Sequence, residues 1–193
     1  MPIKVIHLID VLSRGNFGIV EAAVGTSAIL QAEYGIESEI WFPADHRMTD
    51  SPDFRSTTPR ELAATSGNEM RRLAESLEPA QTVIVSHGAW RFPTLWGAAF
   101  RKMGFPWVIA PHGMFEPWSI RQKRWKKWLY FRAFERRLVR QATIIRATAS
   151  PERDRLKQQF ENVILLPHGI KLPPVSSRDQ PIERQVVLFM GRL

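Results

Sequence analysis

At 193 residues the chain is long enough to bury one good core, and 44% hydrophobic with 24% charged residues is the balance of an ordinary globular domain. Cysteine is absent, which excludes disulfides and thiolate chemistry, and no uninterrupted apolar run approaches the ~20 residues of a membrane span. The formal net charge of +8 is the charge of a single stretch: Arg121 to Arg140 holds nine basic residues and one acid, Glu135, so the rest of the chain is neutral.

In chain order, Lys4 to Ile9 (KVIHLI) reads as a buried strand, and the N-terminus lacks the basic head, long apolar core and cleavage site of a signal peptide. With no cysteine, this fits the cytoplasm. Asp10 to Phe17 is a loop containing Gly15. The Ala-rich, Pro-free segment Gly18 to Glu33 predicts one helix, stopped by Gly35 in the C-cap role. Glu37 to Phe42 is the second strand and Ala44 to Thr57 a polar loop. Thr58-Pro59-Arg60-Glu61 has the form of a capping box with Pro at the first helical position, predicting a helix that breaks at Ser66-Gly67 and resumes to Leu77. Thr82 to Val85 is a strand, Phe92 to Met103 a helix and Trp107 to Ala110 a strand. The basic segment follows, then a strand at Thr143 to Ala147, a helix opened by Ser150-Pro151-Glu152, and a strand at Val163 to Leu166.

Apolar strands alternating with helices predict a parallel sheet covered on both faces, an α/β, Rossmann-like, doubly wound domain over residues 1–170. Residues 171–184 are rich in Pro and Ser and read as a linker. Residues 185–193, containing the strand Gln185 to Met190, read as the start of a second domain.

Three of the five histidines, His87, His112 and His168, share one context: each follows a predicted strand and precedes Gly. Ligands of open parallel sheets bind at the carboxyl ends of the strands, so these histidines are candidate site residues, although a His-Gly pair can also be a simple turn. Their spacing favours no zinc site. The turn Arg14-Gly15-Asn16-Phe17-Gly18 has Gly-x-x-Gly spacing, which suits backbone approach to a phosphate and disfavours the dinucleotide fingerprint of an oxidoreductase.

Helical phase divides the basic segment. In the first half Trp118, Trp125, Trp128 and Leu129 fall on one side and Lys123, Arg124, Lys126 and Lys127 on the other. In the second half the apolar side is Tyr130, Phe131, Phe134 and Leu138, roughly opposite to the first. A bend near Leu129–Phe131, or two different partners, is therefore expected. The second half would pack on the domain, and the first, with its aromatics and lysines, suits an anionic membrane surface. Nucleic acid is not expected, because the charge is confined to one element.

The stretch VIAPHGMFEPWSIRQKRWKKWLYFRAFERRLVRQATIIRATASPERDRL, followed by NVILLPHGI and VLFMGRL, resembles the N-terminal domain of family 4 retaining glycosyltransferases of the GT-B fold. The resemblance runs through essentially the whole chain. It departs from the family pattern at Phe17, where a glycine is usual, at His168, where Asn is usual, and at Lys171, where Asp is common. It implies that His112 is catalytic, that Gly18 and Arg192 hold the donor diphosphate, and that no essential metal or other cofactor is needed. The implied partners are a nucleotide-diphosphate sugar and a saccharide or glycolipid acceptor in cell-surface polysaccharide synthesis, with the enzyme cytoplasmic and peripheral on the inner face of the membrane. His87 and Trp90 are candidate acceptor contacts, and Trp118, Lys123, Arg124, Lys126 and Lys127 candidate membrane contacts. The lysine and paired glutamates of the family's second domain do not occur in the chain, so the resemblance implies little activity for these 193 residues alone. The other reading is a non-catalytic Rossmann-like module whose basic helix docks an acidic partner or membrane.

Overall fold

The computed structural model describes residues 3–12, 17–25, 27–44, 54, 56–117, 119 and 128–169. The linker 171–184, the strand over 185–193 with Arg192, the turn residues Arg14, Gly15 and Asn16, and Trp118, Lys123, Arg124, Lys126 and Lys127 lie outside the described residues.

The elements in chain order are β1 (Lys4–Ile9), α1 (Phe17–Val24), α2 (Ser27–Tyr34), β2 (Glu37–Pro43), β3 (Thr57–Leu62), α3 (Gly67–Ala74), β4 (Thr82–His87), α4 (Arg91–Lys102), β5 (Trp107–Ala110), α5 (Arg136–Val139), β6 (Ile144–Ala147), α6 (Ser150–Lys157) and β7 (Val163–Leu165). The strands form one sheet in the order β3-β2-β1-β4-β5-β6-β7, and every neighbouring pair is parallel. From β1 the chain steps outward through β2 to β3, then returns to the other side of β1 and steps outward from β4 to β7. The winding reverses between β1 and β4, and a crevice opens at the carboxyl ends of these two strands.

Side chains alternate along the strands and feed two apolar clusters, one per face. Ile6, Leu8, Trp41, Ile84, Trp107 and Ile109 join the larger cluster with α4. Ile9, Ile40 and Phe42 join the smaller one with Val20, Ala23 and Val24 of α1. Helix α4 is drawn close to the sheet at Gly97. A Cβ there would collide with the indole of Trp107 and with Ser86 Oγ. Ser86 Oγ in turn accepts from Trp107 Nε1 at 2.9 Å and donates to the Pro93 carbonyl at 2.6 Å.

Four expectations need correction. The helix predicted over Gly18 to Glu33 is two helices. Ser27 Oγ donates to the Val24 carbonyl at 2.7 Å, satisfying a carbonyl at the end of α1 while α2 begins. The capping-box segment Thr58-Pro59-Arg60-Glu61 is not helical but forms β3, paired in register with β2 from Ser38↔Thr57 to Pro43↔Leu62. A sheet edge tolerates Pro59, and Arg60 lies 3.8 Å from Glu39 and over the Trp41 ring, so the tertiary partner wins over the local motif. The helix proper starts at Gly67, where Ser66 caps by accepting from the Glu69 N–H.

A bend is expected near Leu129–Phe131 between the two halves of the basic segment; the first half lies largely outside the described residues, and the second opens on a π-helical turn, Phe131–Glu135, running into α5. It buries Phe131 and turns Glu135 fully inward, at 0% exposure. Phe134, expected to pack on the domain, is 62% exposed, because the wider turn aims Glu135 at the core in its stead. Ser150, expected to cap α6, lies inside the helix; Glu152 accepts from the Thr148 N–H at 2.8 Å.

Candidate active site

The crevice at the winding reversal is where the histidines meet. The parallel register sets His7 opposite Val85 and Ile9 opposite His87, so His7 on β1 and His87 at the end of β4 leave the same face of the sheet. His7 Nδ1 lies 2.9 Å from His87 Nε2, and His87 Nδ1 lies 3.1 Å from His112 Nε2. The rings of His87 and His112 are 14° from parallel with centroids 5.4 Å apart. With their nitrogens in contact, that separation places them edge to edge in nearly one plane, the arrangement that aims an N–H at a lone pair. His168 continues the row, its ring 5.2 Å from that of His112 and tilted by 10°. The three histidines singled out in the sequence do converge, and a fourth, His7, stands behind them. Among the described residues no group of three or more His, Asp or Glu side chains could hold a metal ion.

Burial decides the charge of this row. It pushes His7 down to about 4, aided by the positive charge of Arg146. It pushes His112 down to about 3, aided by His168 and Arg146, and His87 well below the ordinary imidazole value. His168 is lowered by burial and Arg146 against an opposing pull from Glu152. Near neutral pH the four imidazoles are therefore uncharged hydrogen-bonding groups. The cation acting on the row is Arg146, on β6. Its Nε donates to the Leu166 carbonyl at 2.8 Å and its Nη2 to the Pro167 carbonyl at 2.9 Å. Nη2 is also 3.2 Å from His168 Nδ1; a guanidinium only donates, so this nitrogen of His168 is the acceptor and Nε2 carries the proton.

Two buried carboxylates hold the loops that carry the histidines. His112 has φ 51° and is followed by Gly113 at 75°, a left-handed pair that costs a non-glycine residue energy. Glu152 fastens it: Oε1 accepts from the Gly113 N–H at 2.8 Å, while Oε2 accepts from the Thr148 N–H and hydroxyl at 2.8 and 3.0 Å. After β4, Trp90 and Arg91 also have positive φ, 73° and 49°. Here Glu135 Oε1 accepts from the Trp90 N–H at 2.8 Å and the Thr94 hydroxyl at 2.6 Å. Burial raises the Glu135 carboxyl against these two hydrogen bonds. Met114 closes the space above Gly88, and its Sδ lies 3.1 Å from the Ala89 nitrogen.

Beside the row lies a cavity of about 590 Å³, bordered by Asp10, Ile19, His87, Trp90, Arg91 and Tyr130. That volume suits a small organic ligand. His87 and Trp90 both border it. Gly18 lies in the first turn of α1, exposed, where an added Cβ would meet open space, and its neighbour Ile19 borders the cavity. His7, Arg146, Glu135 and Glu152 were not singled out in the sequence. The usable signal was a charged or titratable residue inside an otherwise apolar strand, as in KVIHLI and TIIRA, whose burial has to be compensated.

Residues 20–169 match the family described as Glycosyl transferase 4-like domain. No curated protein matches the sequence. Among solved structures, the chain is similar to a protein from Listeria monocytogenes assigned as a UDP-N-acetylglucosamine 2-epimerase, with 14% identity and a TM-score of 0.49. The similarity covers 84% of this chain and 44% of that one.

Proposed function

The chain belongs to the glycosyl transferase 4-like family, and on that premise we propose that it is the acceptor-side part of a GT-B glycosyltransferase. It would move a hexosyl unit from a nucleotide-diphosphate sugar to a saccharide or glycolipid acceptor, with retention at the anomeric carbon. The observation that carries this reading is the row His87–His112–His168 with Arg146 at the carboxyl edge, beside the cavity bordered by His87 and Trp90. In the transfer, the bond from the anomeric carbon to the diphosphate oxygen breaks, an acceptor hydroxyl oxygen takes its place, and the hydroxyl proton passes to the released diphosphate. Negative charge builds on the diphosphate, and prearranged N–H donors and a nearby cation lower that barrier without moving. Neutral His112 supplies a donor and Arg146 a positive charge. Gly18 offers close backbone approach, and Arg192 would add a second cation. His87 and Trp90 would border the acceptor.

The cationic segment gives the membrane its part. Trp128 and Leu129 are 53% exposed and Phe134 62% exposed, next in sequence to the run of lysines and arginines, with the Arg132 guanidinium 5.6 Å from the Trp128 ring centroid. Exposed aromatics beside concentrated positive charge fit a peripheral contact with anionic lipid on the cytoplasmic face. No helix among the described residues is long and apolar enough to cross a membrane. Sedimentation with vesicles of anionic lipid at low salt tests this contact; a chain left in the supernatant removes it.

Release of nucleoside diphosphate from a panel of nucleotide sugars, in the presence of bacterial glycolipid, tests the enzymatic reading. It should be run on the wild-type gene product and on His112→Ala. The expected result is acceptor-dependent release that drops about 100-fold in the variant. Absence of release with every donor, from a folded protein that carries a donor-binding domain, would favour a non-catalytic binding module.

A further inference from the structure

His7, His87 and His112 are joined by two nitrogen-to-nitrogen contacts, His7 Nδ1 to His87 Nε2 and His87 Nδ1 to His112 Nε2. Each contact needs one proton, since two bare nitrogens repel and two N–H groups clash. Each neutral ring has one proton to give. Only two arrangements satisfy both contacts. Either all three rings are protonated at Nδ1 and the row donates towards His112, or all three are protonated at Nε2 and it donates towards His7. The two ends of the row decide between them. His7 Nε2 is buried and has no hydrogen-bond partner among the described residues, whereas His112 is partly exposed at the carboxyl edge. An orphaned buried N–H is costlier and rarer than an orphaned acceptor. The Nε2 form would strand an N–H at His7; the Nδ1 form leaves a bare nitrogen there and delivers the spare N–H to His112.

We propose that His7 and His87 are positioning residues that lock His112 in its Nδ1–H tautomer, so that His112 meets its ligand as an uncharged hydrogen-bond donor. The atom facing His112 Nδ1 is therefore an acceptor oxygen, of a sugar hydroxyl or a phosphate, and His112 does not serve as a base through this nitrogen. The tautomer stands on the geometry of the row, and only the nature of the ligand atom rests on the glycosyl-transfer reading. A structural role for His7 as a mere space-filler would leave the tautomer of His112 free, and imidazole in water favours Nε2–H.

Two-bond proton–nitrogen correlation spectra of the 193-residue chain labelled with 15N-histidine, near neutral pH, read each tautomer directly and need no activity. The proposal can thus fail while glycosyl transfer stands, and the reverse. The Nδ1–H form should exceed the other by about tenfold or more at His7, His87 and His112, the ratio expected when the alternative buries an unpaired N–H. His7→Asp sets an acceptor in place of the donor and should reverse the row, turning both His87 and His112 to Nε2–H. Backbone amide spectra report whether this variant folds; if it does not, the wild-type tautomers decide alone. A wild-type His112 found as Nε2–H, or a folded His7→Asp in which His112 keeps Nδ1–H, overturns the proposal.

Discussion

Glu135 and Glu152 perform the same task at two loops. Each is a buried carboxylate that accepts a backbone N–H beside a strained residue: Trp90 for Glu135, Gly113 for Glu152. Their surroundings differ. Glu152 has hydrogen bonds on both oxygens, while Glu135 Oε2 is buried without a partner and burial raises its carboxyl. Glu135→Gln keeps a carbonyl for the Trp90 N–H and the Thr94 hydroxyl and removes the buried charge, but it sets an unpaired NH2 where Oε2 stood, so its thermal midpoint should fall, though less than that of Glu135→Ala. Glu135→Ala leaves both donors unpaired and should lose about 2 to 3 kcal/mol in urea unfolding. Glu152→Ala strands the Gly113 and Thr148 N–H groups and should lower the midpoint similarly. It should also sharply raise hydrogen exchange at Gly113, an effect absent from Glu135→Gln. In the sequence Glu135 was visible only as the lone acid among basic residues, a position that suggests surface charge pairing. Its burial depends on a helix and a loop 45 positions apart in the chain meeting in space.

At the scale of elements, strand spacing was the most legible feature. Lys4 to Ile9 and Trp107 to Ala110 were placed to the residue, and β2, β4, β6 and β7 within one or two, because β-branched apolar runs flanked by Gly or Pro have few other uses in a chain of this composition. The three His-Gly pairs were legible for the same reason: once the strands are placed, so is the carboxyl edge. What failed was the segment Thr58–Leu62, where a good local capping pattern yielded to pairing with β2, and the single long first helix, interrupted at Gly25. The close seating of α4 was also invisible, since Gly97 reads as an ordinary helix-weakening glycine. Its contact with Trp107 shows that it serves packing. Gly97→Ala, a substitution that helix propensity alone would favour, should therefore destabilise the protein by about 1 to 3 kcal/mol through overpacking against Trp107 and Ser86. An equal or higher urea midpoint for Gly97→Ala would show that α4 can slide to make room.

For the whole molecule, the neutral histidine row makes stability depend on pH, and the sign follows from the lowered values. An unfolded histidine takes up a proton near pH 6.5, but His7 in the folded protein resists until about 4 and His112 until about 3. Between those limits the unfolded chain binds more protons than the folded one, so stability is full above about pH 6.5 and falls as the pH falls. His7 alone accounts for about 2 kcal/mol lost between neutral pH and about pH 5. His87, also buried and lowered, acts in the same direction, as do His112 and His168. Glu135 acts in the opposite sense. Its raised carboxyl penalises the ionised form, so the folded state gains relative stability as the pH falls through the folded value. Among the groups shifted at these loops it is one acid against four histidines, and the net effect is loss. Urea midpoints measured from neutral pH to about pH 5 should therefore decline steeply, and His7→Phe should flatten the decline by about one proton's worth of slope, even if it lowers the midpoint at neutral pH. A decline of unchanged slope in His7→Phe would mean that His7 is charged or water-exposed in the folded protein, and the uncharged row would then have to be abandoned.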